Sequence, residues 1–351
     1  MITFDERLTL AKKELGRSVI SINPNFWKER RKKRGNPLLF GIKDTNQIPN
    51  ELITKLVKHP EFLWLTIDKA ANRGRAIDTD LINPITYRLM TGSTSGGPVN
   101  IVKGLIDFAI GTDGGGSILA PAMSCQLPSM IGAGLGLVSK SSKLSTDGIK
   151  FRPSVGVIGK NFSIVRKVME VLIDNTLDGS GEHRKVRIII PKKGSVVCPD
   201  NEDMNEKLMR YFLRINLEEF TIDEVEMTGI DDRRRGIQII QDQLHSQNAD
   251  LIVTCEGPVD VFGYGETLPM HFGKTGKKIS QDHGKYLLRS ANMCKTTAIS
   301  IPTENLATSI LIIGRNGLEH ARLAVHLASA FEQVIHLPKV WKDYYLGEIR
   351  M

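Results

Sequence analysis

Six short stretches of this chain are apolar at almost every position: residues 38–42, 62–67, 186–190, 251–254, 298–301 and 310–313. A strand with one face in water alternates apolar and polar side chains, so unbroken apolar runs predict strands buried on both faces. Two shorter runs, 107–111 and 155–158, read the same way. Between them the apolar residues recur at helical spacing over 98–105, 162–173, 205–213, 236–244 and 318–331. Strands separated by helices predict an α/β fold, with a central sheet covered by helices on both faces. No repeat and no Pro- or Ser-rich linker divides the chain. One domain over residues 1–351 is expected, with 1–36 a basic helical or loop segment ahead of the first strand.

With 41% hydrophobic and 25% charged residues in 351, the chain can bury a large core. Its first 15 residues carry Asp5, Glu6, Arg7, Lys12, Lys13 and Glu14, unlike a secretory leader. No apolar run nears the roughly 20 residues of a membrane span. The four cysteines form no C-x-x-C pair, which speaks against zinc ribbons and disulfide scaffolds. A reduced, cytoplasmic protein without a membrane span is the expectation. The net charge of +8 is concentrated at the start, where residues 1–60 hold 13 Lys/Arg against 6 Asp/Glu. The densest run, Lys28 to Arg34, lacks aromatic interleaving and reads as a solvated loop, so a nucleic-acid partner is not expected. A homodimer is compatible with this composition.

The chemistry concentrates in two glycine-rich stretches, Thr91-Gly92-Ser93-Thr94-Ser95-Gly96-Gly97 and Gly111-Thr112-Asp113-Gly114-Gly115-Gly116-Ser117. Successive backbone amides in such a loop can converge on one anion. Placed just before a serine, they can stabilise the oxyanion formed when that serine attacks a carbonyl. Rival motifs fare worse. The chain has no G-x-x-x-x-G-K-[ST] loop and no G-x-S-x-G elbow. Its eight histidines form no H-E-x-x-H pair, so neither a metal nor an organic cofactor is expected. Gly132-Ala133-Gly134-Leu135-Gly136 is similar to part of a dinucleotide turn, without a clean strand and helix around it.

The stretch from Gly92 to Ala122 resembles the signature of the amidase signature family: a serine-rich glycine loop, a helix, then Gly-Thr-Asp-x-Gly-Gly-Ser-Ile-x-x-Pro-Ala. Here the last part reads Gly111-Thr112-Asp113-Gly114-Gly115-Gly116-Ser117-Ile118-Leu119-Ala120-Pro121-Ala122. Gly41-Ile42-Lys43-Asp44, Asn83-Pro84, residues 155–159 and Asn292 before 297–302 resemble further blocks, so the likeness runs over most of 38–335. It implies a mixed central sheet and a hydrolase acting on small-molecule amides or esters. Ser117 would be the nucleophile, Ser93 the bridging serine and Lys43 the neutral base. The amides of Gly114, Gly115, Gly116 and Ser117 would form the oxyanion hole, with Asp113 ordering the loop.

The pattern also departs from the family. The serine loop carries an extra Thr94, so the bridge could fall on Ser93, Thr94 or Ser95. Ser93 is favoured because it lies 24 residues before Ser117, which leaves the intervening helix without a deletion. Leu119 stands where the family usually has arginine. A neutral or apolar acyl group is therefore expected near Ser117, unless Arg73, Arg75 or Arg88 reaches in. Two further readings stay open: an amidotransferase component that releases ammonia from glutamine, and a catalytically silent binding protein.

Overall fold

The computed structural model describes residues 3–145, 147–179, 185–216, 218–266 and 272–346. Among these, eleven strands form one sheet. Their spatial order is Val19–Ile22, Phe62–Asp68, Leu38–Lys43, Phe108–Asp113, Ser154–Gly159, Ser129–Gly132, Thr297–Pro302, Ser309–Gly314, Leu251–Glu256, Val186–Pro191 and Phe220–Val225. Leu38–Lys43 runs parallel to both its neighbours, and so does Val186–Pro191. The remaining pairs are antiparallel, which makes the sheet mixed.

Every residue of the strands Phe108–Asp113, Ser154–Gly159, Leu251–Glu256, Thr297–Pro302 and Ser309–Gly314 is buried. Both faces of the sheet centre are thus covered, as the unbroken apolar runs require. The helix Phe162–Ile173 starts at Asn161, whose side chain accepts from the Ile164 amide, and buries Val165, Val168, Met169 and Leu172. The helix Leu318–Val334 buries Leu323, Leu327 and Phe331. Residues 96–102 form a helix that starts two residues before the expected Pro98. Proline is tolerated in a first turn, and Gly104, at φ +77°, follows the helix end. Asp232 caps the helix Arg233–Gln241, which continues as a π turn to Ser246.

The segment 1–36 is more than helix and loop. Thr3 and Glu6 make a capping box for the helix Phe4–Lys13, and Val19–Ile22 then adds an edge strand to the sheet. Part of the basic run is structural. The Arg30 guanidinium sits 4.5 Å from the centre of the Phe4 ring. Lys33 Nζ donates to the carbonyls of Val57 and His59, both at 2.7 Å, at the end of the helix Asn50–Lys58. A cation there satisfies carbonyls that the helix leaves unpaired. All four cysteines are free and buried. No described helix is long and apolar enough to cross a membrane.

Candidate active site

Lys43 is the last residue of a strand flanked by two others, and only 5% of its surface is exposed. Its Nζ donates to Ser93 Oγ at 2.7 Å and to the Thr112 carbonyl at 3.4 Å. Burial disfavours the charged amine and pulls its pKa down to about 7; nearby Asp113 opposes this and Lys143 adds to it. The three hydroxyls of the serine loop part ways. Ser93 meets the lysine. Ser95 Oγ donates to Asp78 Oδ2 at 2.6 Å. Thr94 Oγ1 is buried without a partner, against Gly111, where a Cβ would come within 2.8 Å of it. Of these three hydroxyls, the one hydrogen-bonded to Lys43 is that of Ser93. Ser93→Ala should therefore slow acylation roughly 10²–10⁴-fold, the usual worth of a positioned proton carrier. Thr94→Ala and Ser95→Ala should act mainly on stability. Pre-steady-state acylation of the three variants checks this, and a crippled Thr94→Ala with a normal Ser93→Ala would reverse it.

The second loop is wound around Asp113. Its buried carboxylate accepts from the backbone amides of Gly116 at 2.8 Å, Ile118 at 2.6 Å and Leu119 at 3.2 Å. Burial raises its pKa, while these three donors and Lys43 work against the rise. Gly116 takes φ +95°, and a Cβ there would lie 2.4 Å from Leu288 Cδ1, so only glycine fits. The expectation for the oxyanion hole changes at this residue. The Gly116 amide, one of those expected to meet an oxyanion, donates to Asp113 instead. The Thr94 amide donates to the Ser117 carbonyl at 3.2 Å and ties the two loops together.

Asn292 holds the loop from the other side. Its Nδ2 donates to the carbonyls of Gly114 and Arg152, and its Oδ1 accepts from the Ser154 amide at 2.9 Å. Asn292→Ala should release the Gly114 peptide. We expect kcat to fall by about 10²-fold, the scale for a small misplacement of reacting groups. KM should move less, and steady-state kinetics of Asn292→Ala against Asn292→Asp test the split.

Ser117, Ser93 and Lys43 line one cavity of about 940 Å³. Among the described residues, seven lysines and arginines line it against two carboxylates, Asp44 and Glu266. Leu119 plays no part in that balance, because it is wholly buried in the short helix Leu119–Ser124. Of the three arginines named as exceptions, Arg73 and Arg75 line the cavity, while Arg88 is exposed and does not. Arg233 and Arg289 line it as well. Sequence reading missed both, since nothing in their local pattern distinguishes them from surface arginines.

Two buried carboxyls brace the surrounding elements from behind the cavity lining. Asp68, beside Lys43 in the neighbouring strand, accepts from Thr66 Oγ1 and from Asn100 Nδ2, each at 2.7 Å. Asn100 belongs to the helix Gly96–Val102, so this contact anchors the helix that follows the serine loop. Glu256 accepts from the amides of Tyr286 at 2.9 Å and Leu288 at 3.0 Å and so places the segment that packs on Gly116. Burial pushes both carboxyls up to about 7. The Gly132–Gly136 stretch ends a central strand and forms a single 3₁₀ turn, not the turn into a helix that a dinucleotide site needs. No metal-binding cluster of His, Cys, Asp and Glu occurs among the described residues.

No family profile matches the sequence. Solved structures match the fold over nearly the whole chain. A 6-aminohexanoate cyclic dimer hydrolase aligns at TM-score 0.66 and 12% identity, covering 97% of this chain and 96% of that one. A peptide amidase from Stenotrophomonas maltophilia aligns at TM-score 0.64 and 14% identity, covering 96% and 93%. The chain has the amidase signature fold. In this fold the two glycine loops and the lysine strand come together at one end of the sheet's first half, as the cavity lining reflects. A mitochondrial glutamyl-tRNA(Gln) amidotransferase subunit from Candida albicans is 33% identical over 95 residues, which is 26% of this chain and 20% of that protein.

Proposed function

We propose that the protein is a hydrolase that cleaves the amide or ester bond of a small molecule through an acyl-enzyme on Ser117. The observation that carries this reading is the buried Lys43–Ser93 hydrogen bond of 2.7 Å in the cavity that Ser117 also lines. A lysine near pKa 7 is partly neutral at physiological pH and can accept a proton. Lys43 Nζ takes the proton of Ser93 Oγ as Ser93 takes that of Ser117. Ser117 Oγ attacks the carbonyl carbon, and the negative charge forms on the carbonyl oxygen. The amides of Gly114, Gly115 and Ser117 stabilise that oxygen. The relay then returns its proton to the leaving nitrogen or oxygen, and water releases the acyl group by the same route. No step calls for a metal or cofactor. A cavity of about 940 Å³ falls within the range of small-molecule sites.

The test is chemical. A fluorophosphonate should form a covalent adduct mapped by mass spectrometry to Ser117, and a library of simple amides and esters should give turnover. An adduct on another serine would remove Ser117 as the nucleophile, and a chain inert to both would favour a silent binding protein. The match to an amidotransferase component supports a second reading, one that releases ammonia. Glutaminase activity seen only with a partner protein would select it.

A further inference from the structure

We infer that the site takes a substrate bearing a carboxylate, held by Arg233 and Arg289 within a few atoms of the scissile carbonyl. This rests on the Ser117 hydrolase reading and narrows its substrate class. Arg233 opens the helix Arg233–Gln241 and turns its side chain into the cavity. A Cβ on Gly115 would lie 3.4 Å from Arg233 Nη2 and 3.6 Å from the Arg289 carbonyl. Gly115 is two residues before Ser117, so a guanidinium rests directly on the nucleophile loop. Arg233 Nη1 pairs with Asp147, but its Nε is buried with no partner. A buried donor left unpaired is costly, and a bound acceptor removes that cost.

Arg289 stands beside it. Its Nη1 donates to the Asp231 carbonyl at 2.8 Å and meets His283 Nε2 at 3.2 Å, so neither partner is a carboxylate. Burial and then the nearby Arg233 lower its pKa, while Asp147, Asp231 and Asp232 act the other way. Arginine still keeps its charge. The other cations do not do this work. Lys285 is paired with Asp260 at 2.7 Å, Arg75 is paired with Glu266, and Arg73 and Lys143 are exposed. Among the described residues, Asp147 pairs with Arg233 and no carboxylate is hydrogen-bonded to Arg289; Asp231 and Asp232 are exposed. Such a pair of guanidiniums suits the planar, bidentate geometry of a carboxylate.

The experiment compares two series of substrates: monoamides of succinate, glutarate and adipate against the matching diamides, and N-acetyl amino acids against their amides. The wild type should prefer the carboxylate-bearing member of at least one series roughly tenfold to a hundredfold in kcat/KM, the scale of one or two charge-assisted hydrogen bonds. Arg233→Met and Arg289→Met should bring that ratio toward one, and Arg233→Lys and Arg289→Lys should keep part of it. Calorimetry with free glutarate adds a readout that needs no chemistry, with binding expected in the wild type and lost in the Met variants. Ser117 labelled by fluorophosphonate but no carboxylate preference and no diacid binding would overturn the inference and leave the hydrolase. Diacid binding lost in the Met variants without labelling at Ser117 would uphold the anion site and remove the hydrolase reading.

Discussion

Replacing Ser117 by alanine should abolish covalent labelling and reduce kcat by about 10⁶-fold, the loss seen when a relay loses its nucleophile. Asp113 fixes the backbone from Gly116 to Leu119 with three hydrogen bonds, so the loop keeps its shape whatever side chain stands at position 117. Thr94 and Ser117 are joined through their main chains, not through the hydroxyl that would be lost. The variant should therefore fold normally, with an unchanged melting temperature, while turnover disappears. A residual rate above the uncatalysed one is expected from the remaining amides and from substrate positioning. A Ser117→Ala protein with near-normal kcat on any amide would remove the acyl-enzyme from the mechanism.

How much of this was legible in the sequence differs by residue. The buried strands were, because apolar runs such as 310–313 carry their own signature. Lys43 is singled out by the likeness of Gly41-Ile42-Lys43-Asp44 to a family block, because its local pattern alone reads as a surface lysine after a strand. The strand Ser129–Gly132 was not legible: four residues with one serine and one glycine show no periodicity, and pairing with its neighbours decides its state. Short helices such as Leu119–Ser124, buried all round, hide for the same reason.

The walls of the site were the least legible. Asp68 and Glu256 brace the site from strands where a carboxylate looks out of place, and their amide partners are 30 or more residues away. Arg233 and Arg289 come from the second half of the chain and reach Gly115 only after the sheet is assembled. The expectation drawn from Leu119 meets its own exception on the same ground, since Arg73 and Arg75 reach the cavity. A position beside the nucleophile in sequence turned away from the cavity, while residues more than 100 positions distant faced it.

Lys43 gives the prediction with the most internal checks. The amine acts only when neutral, so kcat/KM for acylation should rise with pH and level off above an apparent pKa of about 7. The sign follows from burial: desolvation disfavours the ammonium, the proton leaves at lower pH, and activity is lost as the pH falls through that value. Lys43→Ala should cost about 10²–10⁴ in acylation rate and erase this limb of the profile. Removing a buried amine that bonds Ser93 and the Thr112 carbonyl will also cost stability, so the loss of rate alone does not separate the roles. Lys143 does. It is exposed, makes no contact with Ser93, and contributes to the lowered pKa through its charge. Lys143→Ala should therefore move the limb to higher pH without altering the fold, and added salt should move it the same way by screening that charge. A merely structural lysine predicts no such shift. A pH profile that stays fixed in Lys143→Ala and survives in Lys43→Ala would assign the proton to another group.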